Sequence, residues 1–91
     1  MKLWTVWSDY GASGSGVTLH ACAVVAATSE AAVDQFIQAY PGAHTAVCEV
    51  VEGVARNRVT EMLFSERMLK TLDSFVARPG RVVAQAMLYI G

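Results

Sequence analysis

Two short strings carry the side chains most capable of chemistry: His20-Ala21-Cys22 and His44-Thr45-Ala46-Val47-Cys48. All four His and Cys residues fall at even positions of stretches that read as strands. Side chains of a strand return to the same face every second residue, so each His shares a face with its Cys. If the two strands are neighbours, two imidazoles and two thiols could approach the tetrahedral arrangement that zinc prefers. The spacing, H-x-C followed by H-x3-C, is not a familiar zinc spacing, in which ligands usually converge from turns. No metal is expected.

A thiol activated by an imidazole would be a nucleophile. Neither Cys22 nor Cys48 sits at a helix start or among basic residues that would lower its pKa. Ser8-Asp9 with His20 supplies the residue types of a hydrolase triad, but the elbow motif that exposes the nucleophile is missing. No catalytic residue is assigned. If the chain is a small dimeric enzyme with an apolar ligand pocket, His20, His44 and Asp9 are its acid/base candidates.

Residues 11–16 spell G-x-x-G-x-G. A dinucleotide fingerprint has the order G-x-G-x-x-G and opens a helix whose N-terminus holds phosphate. Here a strand follows, so the run reads as a connecting loop, and no cofactor is expected. Trp4, Trp7, Tyr10 and Tyr89 could stack bases on an open sheet, and Arg56, Asn57, Arg58, Arg78 and Arg81, clustered in expected loops, could touch phosphate. The N-terminal half lacks the basic surround that this needs: residues 1–51 hold one Lys and four acids, while residues 52–91 hold six bases and four acids. Nucleic acid is the weakest of the partner classes. The same aromatic residues, with Arg56 and Arg58, suit a protein partner, because binding energy concentrates in Trp, Tyr and Arg.

The elements that must position these residues can be read in order. Residues 2–10 mix aromatic and β-branched types and read as a strand. Residues 17–27 are a second strand, apolar at every odd position and mixed at the even ones. A helix follows. Thr28 or Ser29 caps it, Val33, Phe36, Ile37 and Tyr40 form one face, and Pro41-Gly42 stops it. Residues 44–51 are a third strand. Residues 54–64 fit either a strand or a helix. Ser65-Glu66 opens a further helix with Met68, Leu69, Leu72, Phe75 and Val76 on its apolar face. Pro79-Gly80 ends that helix, and residues 81–90 form a last strand.

The echo of Ser-Glu and Pro-Gly pairs around the two helices favours a strand at residues 59–64 and a ferredoxin-like βαββαβ plan. A helix at residues 54–64 would instead give ββαβαβ. Either order predicts a single α+β domain spanning residues 1–91. It would be a two-layer open-faced sandwich with one mainly antiparallel sheet and two helices on one face.

Composition bears on what covers the other face. The chain has 91 residues, 54% hydrophobic and 16% charged, with a net charge of −1. So small a domain buries only about 60% of its unfolded surface. The apolar surplus, including Met87 and Tyr89 of the last strand, therefore predicts a covered sheet face. No signal peptide or membrane-spanning run is read, and the expected location is the cytoplasm. The expected function is a small non-enzymatic protein–protein interaction module of inhibitor or adaptor type. It would be a homodimer through its open sheet face that also binds another protein.

Overall fold

A computed structural model describes residues 1–10, 16–42, 48–74 and 82–90, with the side chains of Tyr10 and Val82 excepted. His44, Phe75, Val76, Arg78, the Pro79-Gly80 stop, Arg81 and most of the glycine-rich run at 11–16 lie outside the described residues. The elements are β1 (Lys2–Tyr10), β2 (Val17–Ala26), α1 (Ser29–Ala39), β3 (Cys48–Glu52), α2 (Arg58–Leu63), α3 (Glu66–Asp73) and β4 (Val82–Ile90). The strands form one antiparallel sheet in the order β3-β1-β2-β4. β1 and β2 are adjacent and pair directly, Val6 opposite Cys22. The ferredoxin-like order is therefore not the one adopted, and the segment before α3 is helical rather than a strand.

Asn57 decides that segment. Its Oδ1 accepts from the N–H groups of Val59 at 2.9 Å and Thr60 at 3.0 Å, and Thr60 Oγ1 accepts from the Asn57 N–H at 3.1 Å. This reciprocal cap satisfies donors that a helix start otherwise leaves open. It fixes a helix where the apolar pattern alone allows either state.

The helices lie on opposite faces of the sheet, not on one. Even positions of β1 and β2 (Val6, Cys22, Val24, Ala26) pack with Ala32 and Phe36 of α1. Leu19 and Ala21, at odd positions of β2, pack with Val59, Phe64 and Leu69 of the α2–α3 segment. Gly53 makes the change of face possible. It turns the chain after β3 at φ +86°, a conformation that a residue with Cβ rarely adopts. Thr5 then holds the crossing segment: its Oγ1 donates to Gly53 O at 2.6 Å and accepts from Ala55 N at 3.2 Å.

Three layers absorb much of the apolar surplus. β2 has a strand on either side and helices above and below, and every residue from Leu19 to Ala26 is buried. A strand covered on both faces needs apolar residues at both parities, as its Ala, Val and Cys content supplies. α1 begins at Thr28, whose Oγ1 accepts from Ala31 N at 3.2 Å. It buries Phe36 fully and lays Val33, Ile37 and Tyr40 on the same cluster.

Candidate functional site

The sheet registers put Cys48, Ser8, His20 and Met87 in one row across β3, β1, β2 and β4, on the α1 face. His20 is buried and meets Tyr40 edge to face with ring centroids 4.6 Å apart, and Phe36 at 6.3 Å. Burial holds its imidazole below the ordinary pKa. Burial also pushes the Cys22 thiol up to about 11 and, with Cys22 adding, the Tyr40 phenol up to about 12. Neither Cys22 nor Cys48 forms a disulfide. A thiol with a raised pKa is a poor nucleophile at neutral pH.

Asp9 faces the other way. Its carboxylate pairs with Arg58 of α2, so Ser8 and His20 lie on one face of the sheet and Asp9 on the other. No triad assembles from these three. Among the described residues no group of three or more His, Cys, Asp or Glu side chains could hold a metal ion. Open surface grooves among the described residues include the following two. One of about 290 Å³ is lined by Ser29, Glu30, Val33, Asp34 and Val50, and one of about 300 Å³ by Ser65, Arg67, Met68 and Thr71. Neither includes His20 or Asp9.

The aromatic residues separate in the same way. Trp4 is half-buried on the α1 face, and its indole Nε1 donates to Ala26 O at 3.0 Å. Trp7 is half-buried on the α2–α3 face. The side chain of Tyr10 lies outside the described residues. Arg56 is tied to both ends of α3, with Nη1 to Glu66 Oε2 and Nη2 to Asp73 Oδ2, each at 3.1 Å. Arg56 and Arg58 thus fasten helices to the body of the molecule.

Tyr89 differs from all of these. Met87, Leu88, Tyr89 and Ile90 are exposed to 60, 40, 58 and 44%. They follow one another on β4, which ends the sheet on one side. α1 packs on β1, β2 and β3, and α2 on β1, β2 and β4. Met87 and Tyr89 therefore emerge beyond α1 on one face, and Leu88 and Ile90 emerge on the other. Among the described residues no fifth strand pairs with the outer edge of β4, so its outward main-chain N–H and C=O groups find no strand partner there. Sequence reasoning located Met87 and Tyr89 but assigned them to a face. The signal for the edge was a nine-residue strand without a charge, apolar at both parities near its end. No helix among the described residues is long and apolar enough to cross a membrane. Comparison with family models, with curated proteins and with solved structures yields no match.

Proposed function

We propose that the protein is a non-catalytic interaction module that binds another polypeptide by strand addition along the outer edge of β4. One observation carries this reading: four consecutive apolar residues, 87–90, stand exposed on an edge strand with no charged residue from position 82 to 90. Folded proteins normally blunt such an edge with Lys, Pro or a covering segment. Left open, it offers main-chain hydrogen bonds for affinity and alternating side chains for specificity. Binding of this kind requires no cofactor, and it suits a small inhibitor or adaptor.

The small-enzyme reading has less support. His20 is enclosed by Tyr40 and Phe36, and Asp9 is paired on the opposite face.

The test is capture from the native host, read by mass spectrometry, with the folded state checked by circular dichroism. Wild type is expected to retain a polypeptide partner, the native chain itself included, that Met87→Lys and Tyr89→Lys both lose. Retention of the same partners by both folded variants contradicts the proposal. A folded His20→Gln variant that loses biological activity, while both lysine variants keep it, would point to catalysis instead.

A further inference from the structure

We infer that the occupant of the β4 edge is a second copy of this chain: two β4 strands pair antiparallel about a twofold axis at Leu88 and join two four-stranded sheets into one of eight. The inference rests on the reading of that edge as the binding surface and names what binds there.

Charge selects the pairing. Among the described residues the sheet has two outer edges, β3 and β4. β3 is only five residues long and carries exposed Glu49 and Glu52, with Lys2 beside Glu52 at 3.5 Å. Pairing β3 with β4 of another copy would strip water from these charges and find no opposite charge on β4. Such a head-to-tail contact would also leave a free edge at each end of a pair and extend into a ring or a filament. β4 against β4 brings no like charges together, and it closes after two copies.

Symmetry then sets the register. A twofold axis perpendicular to an antiparallel pair keeps each sheet face on its own side, so odd positions meet odd and even meet even. With the axis at Leu88, that residue faces its own twin. Met87 faces the partner's Tyr89 on the α1 side, and Ile90 faces the partner's Ala86 on the other side. Each of the four exposed apolar residues thereby gains an apolar cross-strand neighbour, and large Ile90 lies beside small Ala86.

Area sets the strength. At their observed exposures the four residues, main chain included, present roughly 100 Å² apiece, so two copies bring together at most about 800 Å² from them. Gln85 and Ala86 of both strands bring the upper bound to about 1,000 Å², the floor for a specific interface and the range of weak ones. The dimer is therefore concentration-dependent rather than permanent.

Sedimentation equilibrium of the full chain across the micromolar range tests this. The wild-type mass should rise from 9.8 kDa towards twice that value. Leu88→Lys and Met87→Lys should remain at the monomer mass with unchanged circular dichroism. If Leu88→Lys fails to fold, Met87→Lys decides, since its position is the most exposed of the four. Under mild oxidation a Leu88→Cys variant should form a disulfide between its two introduced thiols. A wild type that stays at the monomer mass overturns the inference. If that monomer still captures a host protein that Tyr89→Lys loses, only the second copy is wrong and the edge reading stands. Doubling that persists in both folded lysine variants removes the edge as the interface altogether.

Discussion

The imidazole of His20 stands against the ring of Tyr40 at 89°, with 4.6 Å between centroids. This contact joins β2 to the end of α1 and keeps a titratable ring out of water.

A pH dependence follows from it. Burial lowers the folded-state pKa of His20 from its ordinary 6.5. Between that lowered value and 6.5 the unfolded chain binds more protons than the folded one, so stability rises with pH through this window. It should fall as the pH drops below about 6.5. Denaturant melts at a series of pH values should show this loss in wild type and a smaller one in His20→Phe. The same slope in both proteins would mean that His20 does not titrate in the folded protein as its burial requires.

Ser8 gives a prediction of the opposite kind. Its hydroxyl is buried, the residue 1% exposed, and among the described residues it has no hydrogen-bond partner. An unsatisfied buried hydroxyl costs free energy, so Ser8→Ala should raise stability, by about 1 kcal/mol. Biological activity should survive, since Asp9 is on the other face and no triad forms. A destabilised or inactive Ser8→Ala protein would show that the hydroxyl has a role the geometry does not reveal.

The face of α1 can be tested by contrast. Phe36 is fully buried and Asp34 is exposed. Phe36→Ala should cost about 3–5 kcal/mol, and Asp34→Ala no more than about 0.5 kcal/mol. Chemical denaturation of the two variants measures both, and comparable losses would contradict this orientation of the helix.

The cap on α2 is the fourth prediction. Asn57→Ala removes the acceptor for two backbone N–H groups and should cost about 1 kcal/mol, whereas Asn57→Asp should retain most of the stability. The helix has only six residues, so its amides should also exchange faster in the alanine variant. Unchanged exchange would show that packing of Val59 and Thr60 alone holds α2.

Local pattern made some of this fold legible in the sequence, and chain crossings hid the rest. Val33, Phe36, Ile37 and Tyr40 at helical spacing, bounded by Thr28 and Pro41, identify α1 and its face. The parity of Trp4 against Trp7 was readable too, and the two do lie on opposite faces. The coverage of those faces was not. Whether α2 follows α1 to the same side depends on Gly53 and on Thr5 holding residues 53–55, and contacts so distant in sequence leave no periodicity. The even positions of β2 looked merely mixed because His20 and Cys22 interrupt them, although Val24 and Ala26 already fit a strand buried on both sides. Nothing local announces that Arg56 and Arg58, expected as rim charges for a partner, also pair with Glu66, Asp73 and Asp9. At residues 54–64 the decisive feature was Asn57 with Thr60, a capping pair less familiar than Ser with Glu.

Hydrogen exchange of the backbone amides at low and high protein concentration tests the central claim most directly, because the proposed contact is made by main chain at one sheet edge. The account predicts that amides in the 86–90 stretch of β4 become markedly slower to exchange at high concentration, while those of β3 at the opposite edge stay the same. Exchange in β4 that is independent of concentration, or protection that grows equally along β3, would contradict it.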